Sequence, residues 1–359
     1  MKRFTYELKR MTWLMLLLVC VQGTTVAQNI GDTFTADKLK YCVLNKQEVE
    51  VCGHVDDRWD ATGEVIIPET VEAAEWNRNY TVTTIGNYAF YGRSGLTEIN
   101  IPNSVTTIES EAFRDCSGLR AINIPNSVTT IGKGAFACCS GLTAINIPNS
   151  VTTIGEYAFG DCSGLTAINI PNSVTTIGNR AFSFCGRLTS INIGNSVTSI
   201  GNEAFYYCRE LTSINIPNSV TTIGNAAFYY CSGLTSINIP NSVTTIGNEA
   251  FYNCSGLETL YFHSINPPTT TRDCFEGCYN IQTIYVPQEA VATYQATEPY
   301  NEYNIQGMDE TTGIGEVETT EMPQSDNIYD LNGRLVRTDG NLQALPKGIY
   351  ILNGKKVVR

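Results

Sequence analysis

A unit of 23 residues, G-L-T-A-I-N-I-P-N-S-V-T-T-I-G-x-x-A-F-x-x-C-S, recurs almost verbatim through the middle of this 359-residue chain. Its leucine falls at Leu96, Leu119, Leu142, Leu165, Leu188, Leu211, Leu234 and Leu257, each 23 residues after the last. A fixed period in the range of roughly 20 to 50 residues marks a stacked array, because one such unit cannot bury its apolar face without neighbours on both sides. The expected architecture is a repeat solenoid of about nine coils.

Within a coil, Leu142-Thr143-Ala144-Ile145-Asn146-Ile147 alternates inward and outward, the period of a half-buried strand. Pro148-Asn149-Ser150 turns the chain, since proline lacks the amide that a ladder needs. Val151 to Ile154 reads as a second extended side, and Gly155 permits the next corner. Glu156 to Cys162 places Ala158, Phe159 and Cys162 at i, i+1 and i+4, which predicts one inward-facing helical or 3₁₀ turn. Each coil is thus expected to have one short strand sheet, a second extended side and a helical side. Stacking aligns Ile99, Ile122, Ile145, Ile168, Ile191, Ile214 and Ile237 in one core column. Phe113, Phe136, Phe159, Phe182, Phe205, Phe228 and Phe251 form another. Each contributes about 1.5–3 kcal/mol on burial.

Cys116, Cys139, Cys162, Cys185, Cys208, Cys231 and Cys254 hold one position in successive units, which reads as a column of small buried hydrophobes. Rungs about 5 Å apart leave disulfides between neighbours open on distance alone. Cys42 and Cys52 fall opposite each other if 41–52 is a hairpin, and Cys274 and Cys278 stand four apart; either pair could bridge. Metal sites want close ligand spacing with accompanying histidine, and the chain holds only His54 and His263, so neither metal nor cofactor is expected.

The ends differ from the repeats. Basic residues Lys2, Arg3, Lys9 and Arg10, an apolar run 11–21 and Thr25-Val26-Ala27 before Gln28 have the layout of a secretory signal peptide over 1–27. The run is too short to span a bilayer. A solenoid needs capped ends. Residues 28–63 read as the N-terminal cap, 64–287 as the solenoid, and 288–308, with a closing helix over 288–297, as the C-terminal cap. The stretch 309–327 reads as an acidic disordered linker. A β module closes the chain at 328–359, where Asn332-Gly333 and Asn353-Gly354 signal hairpins.

The net charge of −12 argues against nucleic acid, whose phosphates demand a basic face. Between Leu96 and Ser255 stand nine acidic and six basic residues, so the repeat surface steers no strongly charged partner. No nucleophile with a base, carboxylate pair or metal cluster appears, and no enzymatic activity is expected. Asp56-Asp57-Arg58-Trp59-Asp60 lacks the glycine and glutamate of a calcium loop.

The pattern L-x-x-I-x-I-P-x-S-V-x-x-I-G-x-x-A-F-x-x-C, as at 142–162, resembles the BspA-like leucine-rich repeats of bacterial surface proteins over roughly 81–287. The resemblance implies a right-handed leucine-rich-repeat superhelix and an exported protein of the cell surface. It also implies adhesion to a host extracellular matrix protein or to other cells. Glu109 stands where the family has glycine, and Gly194 where it has proline. The final module, with Tyr329-Asp330-Leu331-Asn332-Gly333-Arg334 and Leu345-Pro346-Lys347-Gly348-Ile349-Tyr350, resembles the end of a type IX secretion sorting domain. That likeness implies recognition by an export and surface-attachment machinery.

Positions that stacking fixes are silent about a ligand, so candidate binding residues lie outward. Asn146, Asn169, Asn192, Asn215 and Asn238 project from the strand face beside a row of threonines. Such an amide ladder either ties stacked strands together or meets a partner. Phe184, Tyr206, Tyr207, Tyr229, Tyr230 and Tyr252 cluster just before the cysteines of four successive coils, where earlier coils carry Arg114, Asp115, Ala137, Gly160 and Asp161. Aromatic rings supply contact area at low entropy cost, and they also pack between coils. The sequence therefore supports a monomeric, non-catalytic recognition protein that binds a cell-surface protein, matrix protein or glycan, or else a spacer without a specific ligand.

Overall fold

The computed structural model describes residues 29–54 and 63–308 and, near the C-terminus, the strands 328–329, 335–337, 349–352 and 355–358. The stretches read from the sequence as a signal peptide (1–27) and a linker (309–327), and the segment from Asp56 to Asp60, lie outside the described residues. The chain divides into two units, 1–307 and 308–359. In the second, Ile328–Tyr329 pairs antiparallel with both Leu335–Arg337 and Ile349–Leu352, and Ile349–Leu352 pairs antiparallel with Lys355–Val358. Its register runs from Ile349↔Val358 to Leu352↔Lys355.

The first unit is a parallel β-solenoid of about 10 turns. Its longer sheet, of twelve strands, is built on the Val-x-x-Ile side of the coil. There two-residue strands such as Thr153–Ile154 pair in register with Thr130–Ile131 on one side and Thr176–Ile177 on the other. The Leu-x-x-Ile side forms a seven-stranded sheet from Ala167–Ile170 to Ile305–Met308, and single bridges through Asn100, Asn123, Asn146 and Asn169 extend it toward the N-terminus. One sheet with a plain extended side was the expectation; both sides are sheets. The reason is that every stacked coil offers its neighbour a row of backbone donors and acceptors, and leaving either row unpaired would be costly.

The third side also departs from expectation. No helix forms between Gly155 and Cys162; the segment is three overlapping turns. Ala158, Gly160 and Cys162 donate to the carbonyls of Gly155, Tyr157 and Phe159 at 3.1–3.3 Å, while Tyr157, Phe159 and Asp161 donate to Asn179, Ala181 and Ser183 of the next coil at 2.8 Å. A helix would consume all these amides locally; here alternate ones bind coil to coil. On this side of the described coils the last one, whose spacing slips by one residue, carries a 3₁₀ turn, at Arg272–Phe275.

The core follows the sequence columns. Phe90, Phe113, Phe136, Phe159, Phe182, Phe205, Phe228, Phe251 and Phe275 stack with centroids 5.2–5.7 Å apart and are buried. The cysteines of the column are free, and from Cys116 to Cys254 they are wholly buried. Each thiol donates to a phenylalanine carbonyl of the preceding coil, as Cys162 does to Phe136 at 3.1 Å and Cys185 to Phe159 at 3.2 Å. Burial pushes the thiols up, Cys116 and Cys208 to about 12. The corner glycines are required by close approach: a Cβ on Gly155 would stand 2.6 Å from the backbone of Gly132.

At the N-terminal end Thr33–Ala36, Leu39–Val43 and Glu48–His54 form an antiparallel meander whose last strand runs parallel to Arg78–Ile85. Cys42 lies opposite Glu50 rather than Cys52, yet Cys42 and Cys52 are bridged with Cα atoms 5.8 Å apart, because diagonal neighbours on one face come within disulfide reach. Cys274 and Cys278 are free instead: Cys278 takes the column position, donating to Phe251 at 2.9 Å, and both are buried. At the other end the closing element is shorter than expected, a 3₁₀ turn at Gln288–Ala290 followed by an α-helix at Val291–Gln295. Tyr294 and Tyr300 are buried there and donate to the carbonyls of Ser264 and Pro268 at 3.1 and 2.8 Å. Among the described residues no helix is long and apolar enough to cross a membrane.

Candidate functional site

The overlapping turns set the geometry of the outward residues on the third side. Closing the last turn places the residue before each column cysteine at positive φ: Asp115 at 61°, Cys138 at 59°, Asp161 at 56°, Phe184 at 59°, Tyr207 at 60°, Tyr230 at 57° and Asn253 at 54°. Aspartate and asparagine tolerate this region, because their short polar side chains bond locally. A bulky aromatic side chain there costs about 1–2 kcal/mol. The chain places three in succession.

Together with the residues before them, these rings form a double file. Tyr206, Tyr229 and Tyr252 stack at 4.8 Å between successive centroids. Beside them Tyr207 and Tyr230 stack at 4.8 Å, and Phe184 leans on Tyr206 and Tyr207 at 5.4 Å. The Arg209 guanidinium lies 4.8 Å from the Tyr207 ring, within cation–π range. Phe184 is exposed at 42 %, whereas the tyrosines are half-buried. Burial raises the Tyr206 and Tyr229 hydroxyls and the Glu276 carboxylate raises that of Tyr252, so these three rings stay neutral donors at physiological pH.

The strand-face ladder is simpler. Asn146, Asn169, Asn192, Asn215 and Asn238 are all exposed, and the Asn192 amide donates to the Asn169 side-chain oxygen at 2.6 Å. Beside them the Thr166, Thr189 and Thr212 hydroxyls donate to the threonine carbonyl of the preceding coil at 3.1–3.4 Å. The threonine hydroxyls and the Asn169–Asn192 pair thus link coil to coil on this face.

On the N-terminal side of the aromatic file the matching column holds Ala137, Gly160 and Ser183, all buried. The Tyr157 ring lies over Gly160, where a Cβ would meet it at 2.2 Å, and its hydroxyl donates to the Asp161 carboxylate. Small residues on one side and rings on the other leave a groove of about 430 Å³, lined by Lys133, Glu156, Tyr157, Arg180, Phe184, Glu203 and Tyr206. Its charges are paired across coils: Lys133 with Glu156 at 3.1 Å, and Arg180 with Glu203 through two bonds of 2.8 and 2.9 Å. Both pairs are separated by 23 residues, so the repeat period itself was the signal that would have joined them. A further row, Asn179, Asn202, Asn225 and Asn248, ties the corners, each asparagine oxygen but the last accepting from the next backbone amide at 2.8–2.9 Å.

His263 is half-buried at the end of a strand, and burial lowers its pKa. Among the described residues no three His, Cys, Asp or Glu side chains converge as metal ligands.

No curated protein matches the sequence significantly. Among solved structures, a leucine-rich repeat protein from Bacteroides ovatus is 25% identical, covering 77% of this chain and 100% of its own, with a TM-score of 0.48. A leucine-rich cell surface protein from Faecalibacterium prausnitzii is 23% identical over 79% and 96%, with a TM-score of 0.47. The leucine-rich repeat protein of T. pallidum is 23% identical over 70% and 91%, with a TM-score of 0.41. The family model described as BspA type leucine-rich repeat region matches residues 83–212 and 198–309, in six copies. With that model spanning most of the solenoid, the chain belongs to the BspA-type leucine-rich repeat family.

Proposed function

We propose that this protein is an exported, surface-displayed recognition protein without catalytic activity. The aromatic file and its flanking groove contact a protein or glycan of a host or neighbouring cell. The observation that carries the reading is the placement of Phe184, Tyr207 and Tyr230 in the left-handed region, with Phe184 exposed. Asn253 at the same position adopts that backbone at less cost, so backbone preference gives no reason for aromatic residues there. Family membership adds support, since BspA-type proteins are typically found at the cell surface or secreted. Export also accords with the basic and apolar N-terminus and the sorting-like C-terminal module.

The test is capture of matrix proteins, mucins and glycans on a broad array by the intact protein and by a Tyr206, Tyr207, Tyr229 and Tyr230 quadruple alanine variant. Lost capture with an unchanged melting temperature is the expected result. Loss of stability alone would assign the rings to packing, which the 4.8 Å stacking also favours, and would leave a spacer as the better reading.

A further inference from the structure

The groove flanked by Tyr157 on one side and by Phe184 and Tyr206 on the other differs from the aromatic file in what it can hold. In the file, ring faces are spent on one another at 4.8 Å, so mostly edges remain for a partner. Phe184 alone breaks the stack: it meets Tyr206 edge to face, at 67°, and is the most exposed ring of the six. It therefore offers apolar surface to the groove.

The charges narrow the choice of ligand. Each cation in the groove already has a carboxylate partner, Lys133 with Glu156 and Arg180 with Glu203, at 2.8–3.1 Å. An anionic ligand would have to displace a carboxylate, and a cationic one would have to displace an ammonium or guanidinium. A ligand carrying many neutral groups that both donate and accept can bond to the two members of a pair without breaking it.

The backbone narrows it further. The Tyr157, Phe159 and Asp161 amides donate to the next coil, as do those of Arg180, Phe182 and Phe184, at 2.7–2.9 Å. An extended peptide seeking to add a strand finds no open row of donors here. What remains is side-chain recognition: aromatic rings on the flanks, two carboxylate–cation pairs in the lining, and a volume toward the lower end of the roughly 300–1,000 Å³ typical of small-ligand sites. A pyranose has this complement, an apolar ring face edged by hydroxyls that donate and accept.

We infer that the groove between Tyr157 and Tyr206 binds a short, neutral oligosaccharide, with Phe184 as the stacking platform and the Lys133–Glu156 and Arg180–Glu203 pairs as hydroxyl partners. The inference rests on the reading of this side of the solenoid as a recognition surface, and it names the ligand class. Polysaccharide chains and protein-linked glycans share this chemistry.

The test titrates the full-length protein with neutral gluco-, manno-, galacto- and N-acetylglucosamine oligomers, with uronic acid oligomers of the same length, and with a glycoprotein before and after enzymatic deglycosylation. At least one neutral series is expected to bind, with an affinity that changes little between low and high salt because no charge is neutralised. Phe184→Ala should weaken it about tenfold, the worth of one ring contact. Ser183→Tyr, which extends the tyrosine stack into the groove, should abolish it. Should Ser183→Tyr perturb folding, Arg180→Gln serves instead, since it removes lining donors at an exposed site. Dependence on deglycosylation separates a protein-linked glycan from a free polysaccharide. Preference for uronic acids, steep salt dependence, or neutral-sugar binding indifferent to these substitutions would overturn the inference. Protein capture by the tyrosine file without any saccharide binding would overturn it alone, whereas absence of all capture would overturn the broader reading.

Discussion

The thiol column and the tyrosine file lie one or two residues apart in sequence and share one period, yet they answer to different demands. Every column thiol from Cys116 to Cys254 is wholly buried and bonded to a phenylalanine carbonyl of the preceding coil. Nothing about it varies, and its burial, bonding and size all favour the same fold. The file exists in only part of the solenoid, is half-exposed, and puts bulky rings where the backbone prefers asparagine, aspartate or glycine. One column is explained by stability and the other is not, which teaches that in a near-perfect repeat a ligand can be sought only where identical coils cease to be identical.

Alkaline unfolding probes the column most strongly. Unfolded thiols lose their proton near 9.0, whereas burial holds Cys208 protonated up to about 12. The unfolded state therefore binds fewer protons above about 9, and stability falls as pH rises toward 12, by about 4 kcal/mol for such a thiol. Urea midpoints measured across this range should drop steeply; a flat profile would break the claim that the column is buried and protonated. Exchanging the two environments comes next: Cys185→Tyr forces a file residue into the column and should cost about 3 kcal/mol or more through overpacking, read by chemical denaturation. The smallest effect is the sharpest. Tyr207→Asn relieves the left-handed strain but gives up ring stacking, so stability should change by less than about 1 kcal/mol while ligand capture declines. A loss of several kcal/mol would show that the file is packing after all.

What the sequence made legible was whatever repeats at one spacing. The leucine, isoleucine, phenylalanine and cysteine columns follow from counting, because stacked identical coils bring identical residues together. The turns at 155–162 were not legible. The spacing of Ala158, Phe159 and Cys162 suits a helix equally well, and the deciding fact, that Tyr157, Phe159 and Asp161 give their amides to the next coil, is non-local. The Cys42–Cys52 bridge was legible only as a possibility, because the actual register sets Cys42 opposite Glu50 and leaves Cys52 as the extra residue of a bulge opposite Lys40 and Tyr41. The aromatic file was visible as a composition change. The groove beside it was not, since it arises from what is missing at Gly160 and Ser183 as much as from what is present. Its cross-coil ion pairs were written at the repeat spacing all along.

The coil-to-coil bonds described above have a genetic counterpart. Removing 142–164 would join Gly141 to Leu165, and the carbonyl that Cys185 now takes from Phe159 would be supplied by Phe136. Each column would close over the excision as if nothing had been lost, provided that two neighbouring coils accept each other as readily as the present ones do. Length in this molecule is consequently a variable that recombination between near-identical segments can change without redesigning an interface. Such events upstream of Phe184 would slide the aromatic file relative to the N-terminal meander in steps of one strand spacing, about 4.8 Å.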